Sequence, residues 1–176
     1  MKFLRIAIAL AFIAGLYQIP GIAQPKSVGG VFSFAGLEVS YQHLKTSTTF
    51  FEFNAVADIG SVVQGEASVP GAKLIFTYNF MFWKKDCSSG SVGAYAGVGA
   101  AAGLAIQDDT GRDLVAGLCG KIGLEYSFKV PVILSVDFTP ILGMQMDITD
   151  GGGSLDAYMK GVTRAYFPRV GIRYCF

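Results

Sequence analysis

The sequence has no excess of charge of either sign, because 14 Lys and Arg residues stand against 13 Asp and Glu residues. A nucleic-acid-binding protein normally gathers a basic excess into one patch, so we expect no nucleic-acid partner. No long acidic or basic run is present that would indicate an interaction tail. The remainder of the sequence is unusually apolar.

Cysteines are few and odd in number: Cys87, Cys119 and Cys175. They show neither a Cys-x-x-Cys motif nor a Cys/His spacing, so we predict no metal site. The favoured interpretation is that they are small apolar side chains. One bond in an oxidising compartment stays open as an alternative, and Cys87 with Cys175 is the pair to test, because sequence does not supply disulfide geometry.

A membrane-spanning helix is also missing, although 52% of the residues are hydrophobic, 13% are aromatic and 23 are glycine. Residues 1–23 instead resemble a secretory signal peptide. Lys2 and Arg5 form its positive start, Ile6 to Leu16 its apolar core, and Gly21-Ile22-Ala23 its cleavage site. The alternative, an N-terminal membrane anchor, has an apolar core shorter than the roughly 20 residues that a span needs. We predict an exported protein with a mature domain at 24–176.

Beyond the leader, apolar and polar residues alternate, which is the pattern of β-strands. In the segment 73–83, one face carries large apolar residues and the other carries Lys73, Thr77 and Asn79. A soluble lipid carrier would turn its apolar face inward, but an eight-stranded barrel has too little interior for so many aromatics. Apolar residues outside and polar residues inside are typical of a transmembrane barrel.

The turn residues divide the mature chain into about eight strands. We predict strands at 26–34, 36–44, 49–59, 71–83, 91–107, 112–128, 132–146 and 157–176. Lys45–Thr48, Lys84–Gly90 and Lys129–Pro131 are predicted periplasmic turns, and Gly60–Pro70, Asp108–Gly111 and Thr149–Asp156 are predicted outer loops. The predicted fold is all-β: an eight-stranded antiparallel up-and-down transmembrane β-barrel, since such barrels have an even number of strands.

Aromatic residues gather at the predicted periplasmic ends of the even strands. An aromatic girdle at a membrane interface has this arrangement. The predicted girdle consists of Phe80, Phe82, Trp83, Tyr126 and Phe128, and Tyr174 and Phe176 close the last strand.

Two glycine motifs in residues 92–106 have competing interpretations. Gly97 to Gly103 resembles a dinucleotide loop but has the wrong final spacing and no βαβ context. Gly99 and Gly103 form a GxxxG motif, yet the segment is short for a membrane helix. We favour a strand whose glycines, Gly93 among them, share the lumen face, and we expect no cofactor.

His43 is the only histidine in the sequence. Small barrels that modify lipid A use a histidine with a nearby serine and a carboxylate. Here Ser47 lies in the adjacent turn rather than in a close His-x-Ser arrangement. We interpret His43 as a polar anchor at the interface and predict no enzymatic activity.

Charged residues of both signs occupy the predicted lumen face. Buried charges must be paired, so we expect a hydrogen-bonded plug that serves as a structural core, with a gate as the alternative. The predicted lumen polar core consists of Glu38, Glu52, Lys73, Lys121, Glu125, Asp137, Arg169 and Arg173.

The ordered motifs of the mature chain resemble the small outer-membrane barrels of the OmpA/OmpX type, in particular the stand-alone barrels of Bacteroidetes-type bacteria. They are Gly36-Leu-Glu-Val-Ser-Tyr-Gln-His43, Tyr95-Ala-Gly-Val-Gly99, Gly123-Leu-Glu-Tyr-Ser-Phe-Lys-Val-Pro131, Leu134-Ser-Val-Asp-Phe-Thr-Pro140 and Gly171-Ile-Arg-Tyr-Cys-Phe176. The resemblance implies insertion by the barrel assembly machinery, which recognises the final strand, and so assigns Tyr174 and Phe176 to an assembly signal.

The expected function is structural: a monomeric barrel in the bacterial outer membrane, in contact with its lipid and lipopolysaccharide, that supports envelope integrity or surface contact. Two alternatives remain. One is porin-like passage or lateral release of a small or hydrophobic solute, and the other is lipid A modification.

Overall fold

A computed structural model of the protein describes residues 26–33, 36–58, 71–108, 111–147, 155–157 and 168–176. The predicted leader at 1–23 lies outside these residues. The strands are β1 Lys26–Ser33, β2 Gly36–Leu44, β3 Thr49–Asp58, β4 Gly71–Cys87, β5 Gly90–Asp108, β6 Gly111–Phe128, β7 Val132–Phe138, β8 Ile141–Asp147, β9 Leu155–Ala157 and β10 Arg169–Cys175. Among the described residues, no helix is long and apolar enough to span a membrane.

The strands form one closed antiparallel sheet. Each strand from β1 to β6 pairs with the next, and β1 pairs with β10 to complete the circle. Strand β6 pairs with both β7 and β8, while β10 pairs with β7 and β9 pairs with β8. Strands β7 and β8 therefore form two halves of the seventh strand of the barrel, and β9 and β10 form two parts of the eighth. The predicted eight-stranded up-and-down barrel is confirmed.

The seventh strand of the barrel is interrupted at Thr139 and Pro140, between β7 and β8. Strand β6 pairs Ile122 with Phe138 and Cys119 with Ile141, so both halves keep one register. Proline has no N–H to donate to a ladder, which explains why the predicted continuous strand 132–146 is divided. The carbonyl of Pro140 still accepts a hydrogen bond from the Gly120 N–H at 3.1 Å.

The predicted turn at Lys84–Gly90 is wrong. Strand β4 continues to Cys87, strand β5 begins at Gly90, and only Ser88 and Ser89 form the turn. Residues 84–86 are charged and residues 84–87 are all exposed, so they carry no alternation that would mark a strand. These residues nevertheless belong to the strand because they pair with β5. Lys85 pairs with Val92, and Asp86 pairs with Ser91.

The chain reverses between Ser33 and Gly36, which pair with each other across β1 and β2. Gly36 follows β1 with a φ of 142°, a backbone conformation that favours glycine. Residues 34–35 lie outside the described part of the chain.

The two termini of the described chain meet at one end of the barrel, where the Phe176 N–H donates to the Lys26 carbonyl at 2.9 Å. We call this the termini end, and the end that holds Asp58 and Gly71 the opposite end. Alternate residues of each strand point outward, and large apolar side chains such as Leu74 and Leu118 are 67% and 73% exposed. The outer wall is therefore an apolar belt.

Candidate functional site in the barrel lumen

The lumen holds a dense set of buried charges. All eight residues predicted for the lumen polar core lie inside the barrel, and each is at most 8% exposed. Four are acidic and four are basic, so the set is electrically balanced. The set consists of Glu38, Glu52, Lys73, Lys121, Glu125, Asp137, Arg169 and Arg173.

Arg169 connects two acidic residues from different strands. Its Nη2 atom is 2.5 Å from Glu38 Oε2, and its Nη1 atom is 3.1 Å from Asp137 Oδ1. The register places Arg169 directly beside Asp137 on the neighbouring strand. The Thr139 hydroxyl donates to the same Asp137 oxygen at 2.9 Å. Two carboxylates therefore hold the guanidinium from both sides.

Lys121 lies between Glu52 and Asp137. Its Nζ atom is 2.7 Å from Glu52 Oε2 and 3.4 Å from Asp137 Oδ2. The Ser40 hydroxyl donates to the other Glu52 oxygen at 3.2 Å. Because both members of the Lys121–Glu52 pair are fully buried, the pair is stable only with these additional partners.

Arg173 continues the network toward the termini end. It donates to the Ser135 hydroxyl at 3.0 Å and to the Gln42 side-chain oxygen at 3.3 Å, and its Nη2 atom lies 3.7 Å from Glu52. Gln42 also accepts from the Ser27 hydroxyl at 3.2 Å. The network thus links β1, β2, β3, β7 and β10 across the lumen.

Tyr95 is a lumen residue that the sequence reasoning did not assign. It is fully buried, and its hydroxyl donates to Asp137 at 3.2 Å. A signal was available, since Tyr95 alternates in step with Gly93 and Gly97, which were assigned to the lumen face. Opposite Tyr95 lies Gly123, where an added Cβ would stand 2.7 Å from the tyrosine ring and 2.6 Å from Asp137 Cβ.

Gly123→Ala should therefore destabilise the barrel, while Gly120→Ala on the same strand should not. The first Cβ overpacks the lumen, which costs about 1–3 kcal/mol. A Cβ at Gly120 meets nothing within 4 Å, so that variant is the matched control. Chemical unfolding of both folded variants measures the difference. Equal free energies of unfolding would contradict the assigned packing of Tyr95 over Gly123.

Toward the opposite end, the lumen is filled by an apolar layer. It consists of Val56, Ile75, Ala101, Val115, Cys119 and Ile141, each at most 6% exposed. The sequence pattern predicted glycines and polar or charged residues on this face and no layer of this kind. The alternation contained the signal, because Val115 and Cys119 are in step with Lys121. Here apolar residues occur on both faces of the strands.

The lumen therefore holds both a charge network and an apolar layer, which meet where Val56 pairs with Glu38 on one side and Lys73 on the other. An eight-stranded barrel is only wide enough for side chains to fill. A solute crossing this lumen would have to break buried ion pairs and also displace packed apolar side chains. The arrangement suits a rigid plug.

The described residues contain no cluster of metal-ligating side chains. No group of three or more His, Cys, Asp or Glu residues there could hold a metal ion. His43 lies outside the lumen network, and its Nδ1 atom has no hydrogen-bond partner among the described residues.

Cys87 and Cys175, the pair left open as a possible disulfide, are both free thiols in this structure. Cys87 lies on β4 and Cys175 on β10, with β1, β2 and β3 between them in the sheet. Neighbouring strands are about 4.8 Å apart, so four steps around the wall exceed the roughly 7 Å that a disulfide can bridge.

The residues predicted for the aromatic girdle and the assembly signal lie near the termini end. Phe80, Phe82 and Trp83 are 52%, 56% and 47% exposed on β4. Tyr126 and Phe128 form an edge-to-face pair with ring centroids 4.7 Å apart, and the Tyr126 hydroxyl is 2.6 Å from that of Ser89. Tyr174 pairs with Val28 on β1, and Phe176 is 44% exposed.

Together, the closed barrel, its outward apolar belt and its charge-filled lumen define the fold class of small OmpA-type β-barrels, as the sequence resemblance implied. A solved structure with this fold is the N-terminal β-barrel domain of OprF from Pseudomonas aeruginosa. It is similar with a TM-score of 0.50 and 15% sequence identity, and the match covers 87% of this chain and 98% of that one. No family model matches the sequence, and no curated protein matches it.

Proposed function

We propose that the protein is an integral outer-membrane barrel with a plugged lumen and a structural role in the cell envelope. The inverted distribution of side chains supports this most directly. Charged residues such as Arg173 and Glu52 are at most 1% exposed, while Leu118 and Leu142 on the outer wall are 73% and 68% exposed. Water would leave this apolar belt as one large exposed patch. A bilayer solvates the belt, and the pairing of β1 with β10 closes the sheet so that these strands present no free edge to lipid.

The two filled layers of the lumen favour the structural role over transport. The aliphatic side chains of the apolar layer offer no ligand to a moving ion, and the thiol of Cys119 is directed to the Phe76 carbonyl. Arg169 and Lys121 are already held in ion pairs with acidic residues of the lumen. The envelope role therefore rests on the barrel wall and on the segments that join its strands at the opposite end. These would contact lipopolysaccharide and other surfaces, with the protein acting as a monomer.

Export and assembly complete the proposal. The signal peptide at 1–23 would direct the chain out of the cytoplasm, and the barrel assembly machinery would insert it by recognising the strand that ends at Tyr174 and Phe176. The aromatic side chains at the termini end would then lie at the periplasmic interface of the membrane.

Heat-modifiable gel mobility of the detergent-folded protein tests the proposal. The unboiled and boiled samples should migrate differently, because a closed barrel resists unfolding by detergent alone. The protein should also stay in the outer-membrane fraction after alkaline extraction. A mobility indifferent to boiling, together with release into the soluble fraction, would refute the membrane barrel.

Lipid A modification has no supporting contact among the described residues, and it is tested separately. Mass spectra of lipid A from cells that express the protein should match those from cells without it. A change in acylation that depends on His43 would establish an enzyme instead.

A further inference from the structure

A groove on the outer wall crosses strands β2 to β5 and encloses about 540 Å³. Alanines occupy its floor, with Ala55 between Val39 and Leu74 in the register, and Ala100 beside Phe76. Because the alanine side chains are small, they leave a depression between bulkier apolar neighbours on the outer wall. If the groove were empty, the residues that line it would lose dispersion contacts. A flexible apolar chain can restore these contacts and is therefore the expected occupant.

An aromatic cluster extends from this groove toward the termini end. The Phe53 and Phe76 ring centroids are 4.8 Å apart, and those of Phe51 and Phe76 are 5.9 Å apart. The Lys45 Nζ atom stands over the Phe51 ring at 5.7 Å from its centroid. One cation is thus held next to the groove, on the side nearer the rim of the barrel.

The rim at the termini end is positively charged as a whole. Its exposed charged side chains in the described chain are five lysines and one aspartate, which gives 5 − 1 = +4. The lysines are distributed around the circumference, on β1, on β4 and in the turns that follow β2 and β6. They are Lys26, Lys45, Lys84, Lys85 and Lys129, and the aspartate is Asp86.

We propose that the groove binds one acyl chain of an anionic glycerophospholipid and that Lys45, supported by the rim lysines, binds its phosphate group. The site rests on the proposed function, since it requires the belt to face lipid. Charge complementarity selects the ligand, because basic residues at a membrane surface attract anionic headgroups. The acyl chain supplies the apolar part that a free phosphate ion lacks.

Native mass spectrometry of the detergent-folded protein tests this site. The protein is mixed with equal amounts of phosphatidylglycerol and phosphatidylcholine that carry the same acyl chains. Retention of phosphatidylglycerol should exceed that of phosphatidylcholine by about five-fold, the preference expected from one basic residue at a lipid surface. Lys45→Gln should bring the ratio close to one, and Lys45→Arg should preserve it.

A second set of variants in the same experiment tests the groove by filling it. The double variant Ala55→Phe and Ala100→Phe should lose both lipids, whereas Ala157→Phe, at an exposed position on β9, should retain them. Heat-modifiable mobility confirms that each variant is folded. Failure of this mobility shift in the unaltered protein would refute the membrane barrel itself rather than the lipid site.

Four results would overturn the lipid site in a folded protein. The first is equal retention of the two lipids by the unaltered chain, and the second is unchanged retention after the groove is filled. The third is a dimer in place of a lipid adduct, which would show that a second copy covers the groove. Displacement of the lipid by excess inorganic phosphate would likewise reduce the site to an ion-binding rim.

Discussion

Replacing Asp137 with asparagine is expected to lower the free energy of unfolding by about 3–5 kcal/mol, the usual cost of removing one partner from a buried ion pair. Asp137 is the residue on which the network converges. It accepts hydrogen bonds from Arg169, Thr139 and Tyr95, and Lys121 lies 3.4 Å away. Asparagine keeps the size of the side chain but leaves the buried cations with one negative charge fewer.

The loss is measured by chemical unfolding of protein folded into lipid vesicles, with the fluorescence of Trp83, the single tryptophan, as the signal. Asp86→Asn, at an exposed carboxylate on β4, is the matched control and should change stability by less than about 0.5 kcal/mol. Adding Lys121→Met to Asp137→Asn restores the charge balance, so the double variant should lose less than the sum of the two single losses. Additive losses would show that Asp137 and Lys121 do not interact.

Phe176→Ala, or deletion of Phe176, is expected to reduce the amount of assembled barrel several-fold without a comparable change in the stability of the molecules that do fold. Phe176 is 44% exposed at the edge of the belt, and it directly follows β10, the strand that closes the barrel against β1. Its backbone N–H already bonds to Lys26, so alanine keeps that contact and loses only the aromatic ring. The ring is what the insertion machinery is proposed to recognise.

Phe138→Ala is the matched control for this change. Phe138 is also an outward aromatic residue, 39% exposed, but it lies within the wall rather than at its end. The heat-modifiable fraction in the outer membrane, divided by total synthesised protein, gives the assembly yield for each variant. A normal yield for Phe176→Ala, or an equal loss for Phe138→Ala, would contradict a special role for the terminal aromatic.

Alternation along the strands was enough to predict the barrel and to place charged residues on its inner face. Glu38, Lys121 and Arg173 are distant in sequence, yet each has an outward apolar neighbour, respectively Leu37, Ile122 and Ile172. The period of two fixes their direction once the strands are assigned. Which acid meets which base was not predictable, because the pairs depend on register between strands. The Lys121–Glu52 contact joins residues on β6 and β3, which are not neighbours in the sheet.

Two features were missed because alternation was absent or ambiguous there. Residues 84–86 are charged on both faces, so the end of β4 resembled a turn. Val115 and Cys119 are apolar on a face where polar residues were expected, so the apolar layer in the lumen was not assigned. In both places the structure depends on a contact with another strand. Residues 84–87 are strand because they pair with β5, and Val115 and Cys119 are buried because they pack against the far wall of the lumen.

Single-channel recording in planar bilayers tests the central claim, a membrane barrel whose lumen is sealed by a charge network and an apolar layer. The folded protein, with insertion verified by its heat-modifiable mobility after recovery from the bilayer lipid, should produce no stable conductance steps above the bare membrane. Frequent, well-resolved open steps from the same preparation would contradict the sealed lumen.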